Sequence, residues 1–502
     1  MRNVVFLGVT LAAQAPLVDA QTSAPLSRAA ATITARDVAR HIWIIAHDSM
    51  MGRDTPSRGL DLTARYVAEQ FRASGLQPRG DQGSWLQHYT VARQRIDLER
   101  SHVILSVDGA IDSAGFRTSA RYEGGPIPRE TIRAPAVLVS GYHTLRSKGE
   151  LNFGGRVVFY LPPRNANPDR VHETLRVLYL GGSSALVTLS DAAAVNFLQT
   201  IPSRAPERVV LHGAEHGPVV LQVRAAALER SLAAAEVDLD RVDRSTEPGI
   251  RQLDGSKVTI NVSHTILSSL SAPNTVGLLE GTDPTLKNEY VVYSAHMDHI
   301  GITPGRPDSI NNGADDDASG TAGVIELAQA FSRPGARPRR SLLFLTVSGE
   351  EKGLWGSNYF TANPPVPIGN IVANINLDMI SRNWPDTIVA IGKEHSSLGA
   401  TLDRVNSAHP ELGITAINDR WPDERFYYRS DHYNFARRGV PILFFFNGVH
   451  EDYHEVTDSP DKVNAEKESR LLKLLFYLGQ DIANATLRPT WNRESYREIV
   501  VE

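Results

Sequence analysis

Hydrophobic and polar positions divide this chain into stretches of different rhythm. From Asp61 to Ser74, the residues Ala64, Val67, Ala68 and Phe71 follow Leu60 at helical spacing, and Gly75 supplies a stop. A loop of turn formers, MMGRDTPSRG, precedes this helix. Between about 131 and 190 the apolar runs are short and β-rich: APAVLVSGY, GRVVFYL and SALVTLS. One helical pattern, Asp169 to Leu180, lies between the last two. From 258 to 486 strand, loop and helix alternate. EYVVYSAH (289–296), SLLFLTV, NIVANINLDMI and VPILFFFNG are near-continuous apolar runs, as strands buried on both faces should be. Gly320–Phe331 and Glu466–Ala485 carry helical periodicity. The pattern predicts an α/β class, with a mixed, mostly parallel sheet flanked by helices and an inserted β-rich domain. The main domain is expected over 30–122 and 246–490, and the insert over 123–245.

In an open α/β sheet, ligands bind outside the carboxyl ends of the strands. Here each of those ends delivers an imidazole or a carboxylate. His296 and Asp298 follow the first run, and Glu350-Glu351 follows SLLFLTVSG. Asp378 ends NINL, and His450 and His454 lie in the loop after VPILFFFNG. Between them GADDDASG (313–320) opens a helix with three aspartates. Singly, each has a plain structural reading: a bonded histidine, a helix cap, a solvated turn. Together they place many carboxylates on one edge, which is strongly unfavourable unless cations neutralise them.

Composition narrows the choice. The 502 residues include no cysteine, so thiolate nucleophiles, disulfides and cysteine zinc sites are excluded, and any metal must be held by imidazole and carboxylate. Two histidines with a carboxylate excess suit two zinc ions bridged by one aspartate, which could hold a water between them. Adjacent residues in extended chain point to opposite sides, so one of Glu350 and Glu351 can ligate while its neighbour faces the water as general base. A net charge of −5 leaves no basic excess for nucleic acid. The first 20 residues, with Arg2, an apolar core from Val4 to Ala13 and small residues at Val18 and Ala20, have the layout of a signal peptide. No other stretch approaches the roughly 20 apolar residues of a membrane span, so an exported chain without stable membrane insertion is expected.

The motifs HMDHIG (296–301), GADDDASG, SGEEKGLWGS, NLDMI, RSDHYNFARRGVP (429–441) and YHEVTDSPDKV, in this order, resemble the co-catalytic zinc aminopeptidases that include bacterial leucyl aminopeptidases and aminopeptidase Y. The early Gly52-Arg53 loop fits too. The resemblance implies two zinc ions per chain and peptide substrates with a free N-terminus. It implies His296 and Asp378 on one zinc, Glu351 and His454 on the other, and Asp316 as the bridge. Glu350 would be the general base and Asp298 the partner that fixes the His296 imidazole. Spacing alone does not separate Asp315, Asp316 and Asp317, nor His450 from His454. Many relatives have proline after the last histidine, where this chain has Glu455. Tyr427, Tyr428, Arg429 and Tyr453 could face substrate or pack around their loop. The insert resembles, more loosely, a protease-associated domain. The function so implied is a secreted metallo-exopeptidase acting on the N-terminal peptide bond. A glutaminyl cyclase-like aminoacyltransferase, a carboxypeptidase and a receptor-like homologue without catalysis are the alternatives.

Overall fold

A computed structural model of the chain describes residues 24–143, 151–200, 207–211, 217–239, 241, 245–305 and 307–500. The expected signal peptide lies outside the described residues. Two compact units emerge: one takes the chain up to Tyr89 and again from Ser271, the other is Thr90–Leu270.

In the larger unit, the strands Ile442–Phe446, Ile371–Leu377, Tyr290–His296 and Ser341–Val347 lie side by side in that order, all parallel. Antiparallel neighbours flank them. Thr387–Ile391 pairs with Ile442–Phe446, and the stretch Thr275–Leu279 pairs with Ser341–Val347. The apolar runs explain the placement, because Ser341–Val347 and Ile371–Leu377 are buried at every position. Their parallel register brings His296 level with Val347, so all four strands end on one edge.

Helices cover the sheet. Ala35–Ile45, Gly320–Phe331 and Ala465–Asn484 share one core with Tyr293, Phe344 and Ile375. The helix read as Asp61–Ser74 runs Arg58–Ala73, because the Ser57 side chain accepts the Leu60 N–H and caps it earlier. Phe344 is the hub of an aromatic cluster, stacked on Tyr293 at 5.8 Å and meeting Phe71 and Phe331 at 6.3 Å. Phe344→Ala is therefore expected to cost about 3–5 kcal/mol of stability, read from the denaturant midpoint. A cost under about 1 kcal/mol would contradict a close-packed cluster there.

The second unit has its own sheet and its own core, which includes Val157, Phe159, Val187 and Leu221. The strands Ile132–Ser140, Val157–Leu161, Ala185–Ser190 and Val219–Arg224 are parallel neighbours, with helix Pro168–Leu180 between the second and third. This unit is wider than the 123–245 read from composition. The hairpin His102–Val107/Ala110–Gly115 joins its sheet through Gly249–Asn261, with Lys257 opposite Ser106. Pairing between residues 151–159 apart in sequence leaves no local mark, so the composition boundary fell inside the folding unit. Among the described residues, no helix is long and apolar enough to cross a membrane.

Candidate metal centre

At the edge where the four parallel strands end, the backbone first has to turn. Arg53, fully buried, holds the loops together. Its guanidinium donates to the carbonyls of Met297, Asn312, Gly313 and Ile45 at 2.6–3.0 Å. The Asp458 carboxylate then accepts the N–H groups of Asp315 and Asp316, both at 3.1 Å, and so fixes the aspartate run.

The three aspartates separate by direction. Asp315 Oδ1 accepts the Ser381 N–H and hydroxyl, and its Oδ2 faces His450 Nε2 at 3.2 Å. Asp317 accepts the N–H groups of His296, Gly320 and Met379, tying two strand ends to the helix start. Only Asp316 faces both sides of the centre, with Oδ1 3.2 Å from His296 Nε2 and Oδ2 3.2 Å from His454 Nε2.

Around Asp316 the other expected residues converge. Asp378 Oδ1 lies 3.5 Å from His296 Nε2, and its Oδ2 accepts the Ser430 hydroxyl at 2.7 Å. Glu351 Oε2 lies 3.1 Å from His454 Nε2. Asp298 orients His296 differently from expectation: the closer acceptor for the imidazole Nδ1 is the Asp298 backbone carbonyl, at 3.2 Å, with the carboxylate at 3.7 Å. That carboxylate instead accepts the Glu350 N–H at 3.3 Å, so Asp298 also positions Glu350.

The adjacent glutamates have opposite acidities. Burial pushes Glu350 well above the ordinary carboxylate range; the His296 imidazole opposes this, and Glu351, Asp431 and Asp378 add to it. Glu351 is lowered: burial and Asp316 work against that, and the imidazoles of His299 and His454 prevail. Asp316 is held well below its usual range, because His299, His296 and His454 together outweigh its burial.

Two donor sets close enough to hold a cation result: His296, Asp316 and Asp378, and His299, Asp316 and Glu351. All donors are nitrogen and carboxylate oxygen, a set that suits zinc. Buried polar atoms without a hydrogen-bond partner gather here, among them Asp298 Oδ2, both His299 ring nitrogens and Glu351 Oε1, as expected where a cation belongs.

A cavity of about 60 Å³ opens beside this centre, lined by His296, Asp316, Glu350 and Asp378 at one end. Phe426, Phe444, Phe446 and Val449 form an apolar wall. Of the four substrate candidates, Arg429 and Tyr453 line the cavity. Tyr427 and Tyr428 do not: Tyr427 packs edge-on against His395 and His432, and Tyr428 against Tyr433. In the single turn Phe426–Tyr428, successive side chains diverge, and Phe426 takes the cavity wall. Sequence reading also passed over His299, Asp431 and Asp458. The alternation of Phe444 and Phe446 was a usable signal, since residues two apart on a strand share a face.

Residues 274–478 match the model of Peptidase family M28. The leupeptin-inactivating enzyme 1 of Streptomyces exfoliatus is 28% identical over 212 residues, covering 42% of this chain and 43% of that protein. A probable zinc metalloprotease of Pyricularia oryzae is 27% identical over 269 residues, 44% of this chain and 52% of that one. The chain thus spans about half the length, or less, of these curated relatives. The fold is similar to an aminopeptidase from Aneurinibacillus sp. strain AM-1, with a TM-score of 0.50 and 16% identity over 91% of this chain and 96% of that one. The segment 274–478, which carries every donor of both sets, is thus similar to Peptidase family M28.

Proposed function

We propose that the chain is an exported zinc metallopeptidase that removes the N-terminal residue of peptides, and that it uses two zinc ions. The observation that carries this reading is Asp316, placed between His296 and His454 with Glu350 at the adjoining cavity. His296, Asp316 and Asp378 would hold one ion, and Asp316, Glu351 and His454 the other. Bound zinc supplies polarisation of the scissile carbonyl and acidification of water.

The remaining work falls to side chains. Glu350 accepts a proton from the attacking water and returns it to the amine nitrogen as the C–N bond breaks. Asp298 holds Glu350 through its N–H and aims His296 Nε2 by taking up Nδ1. The wall of Phe426, Phe444 and Phe446 suits an apolar side chain at the cleaved position. The inserted unit is, in this proposal, a protease-associated type of domain.

Hydrolysis of free-amine aminoacyl chromogenic amides is expected, alongside silence toward N-blocked versions. Activity should vanish on chelation and return with zinc. Cyclised product from a glutaminyl peptide, without hydrolysis, would move the assignment to an aminoacyltransferase. Cleavage from the other end would make the enzyme a carboxypeptidase, and zinc binding with no turnover on any substrate would support a receptor-like homologue.

A further inference from the structure

One buried imidazole has no role in the reading above. His299 is fully buried, and its backbone N–H donates to the Arg53 carbonyl at 3.3 Å. Its Nδ1 sits 2.8 Å from Glu351 Oε1 and 3.7 Å from Asp316 Oδ2. Yet neither ring nitrogen, nor Glu351 Oε1, makes a hydrogen bond. Polar atoms so close, without a hydrogen bond between them, belong with Asp316 to one donor set near enough together to hold a cation.

His454 approaches the same two carboxylates from the other side, with Nε2 3.1 Å from Glu351 and 3.2 Å from Asp316. The two rings meet edge-on, 5.7 Å apart at 70°. The fold makes room for the inner ring. A Cβ on Gly313 would come within 2.5 Å of a His299 ring atom, so only glycine at 313 admits the imidazole. Arg53 clamps both the segment before His299, at Met297, and the segment facing it, at Gly313.

We propose that His299 is a fourth protein donor on the Glu351 side of the centre, so that one ion is held by Asp316, Glu351, His454 and His299. The other is held by Asp316, Asp378 and His296. This rests on the two-zinc reading. It makes the centre unequal, because the Glu351 side has two imidazoles against one, and imidazole nitrogen suits zinc. It also leaves that ion fewer positions for water or substrate than its neighbour.

The test uses the full chain, stripped of metal and titrated with zinc by calorimetry and with cobalt by visible absorption. Wild type is expected to take two ions in two unequal steps. In His299→Leu the tighter step should weaken by about 100-fold or more while the other stays, and the cobalt band of that step should shift on losing a nitrogen. A second variant, His299→Asn, keeps a polar group if leucine spoils folding, and should show the same altered band. An unchanged titration in folded His299→Leu overturns the proposal. So does a wild-type cobalt band in His299→Asn, which would mean that His299 only orients Glu351. Wild type taking up fewer than two ions would sink the two-zinc reading itself, and the proposal with it.

Discussion

Glu350→Gln is expected to lower kcat by about 10²–10⁴-fold while leaving zinc content, fold and substrate affinity close to wild type. The reason is the division of work between neighbours. Glu350 lies at the cavity beside His296 and Asp316, outside both donor sets, whereas Glu351 meets His454 and His299. Glutamine has nearly the same shape but accepts no proton at neutral pH, so position is kept and chemistry is removed. Its backbone N–H still reaches Asp298, which argues against a collapse of the loop. Steady-state kinetics with metal analysis decides the matter. A variant retaining more than about a tenth of wild-type kcat shows that another group takes the proton, and Asp431, fully buried and pushed up to about 7 by desolvation above all, becomes the first to examine.

Asp316→Asn is expected to abolish binding of both ions at once, where Asp378→Asn and His454→Asn each remove one. Asp316 is the residue common to both donor sets, with one oxygen toward His296 and the other toward His454. Replacing it takes a negative charge from a site whose imidazoles it holds, so each ion loses a ligand and its charge partner together. Affinity at each position should fall by at least about 100-fold, and activity should fall below detection. Metal content after gel filtration gives the answer. Retention of one full zinc by folded Asp316→Asn would show that the two positions do not share this carboxylate. The bridge would then have to be sought in Asp315, whose Oδ1 is engaged by Ser381, or in Asp317, which accepts the N–H groups of three neighbours.

Much of this is legible in the sequence. Runs such as SLLFLTV and NIVANINL announce strands buried on both faces, and the structure buries every residue of Ser341–Val347 and Ile371–Leu377. The parallel arrangement followed from the intervening helices, and it made the strand ends a common edge. Gly320–Phe331 has the same bounds in the structure as in the sequence pattern, its helical periodicity being strong. The insert was different. Its strands were found singly, but its limits were not, because Gly249–Asn261 pairs with strands from far earlier in the chain.

The sequence by itself determined the kind of site: carboxylates and imidazoles at the carboxyl ends of buried parallel strands, with no thiol to compete. That information is local, written in residue type and in distance from the end of an apolar run. Which aspartate of three faces both sides, which tyrosines reach the cavity and what His299 touches were decided only by the tertiary structure. Asp315, Asp316 and Asp317 are chemically identical and adjacent. Their roles differ because Asp458, Ser381 and Met379, brought in from more than 60 residues away, take up particular N–H groups and oxygens. His299 is likewise defined by Gly313 and Glu351, which make its space and face its nitrogen. Residue type sets what a side chain can do; the direction of a short side chain in a turn depends on long-range contacts, and those have no local signature.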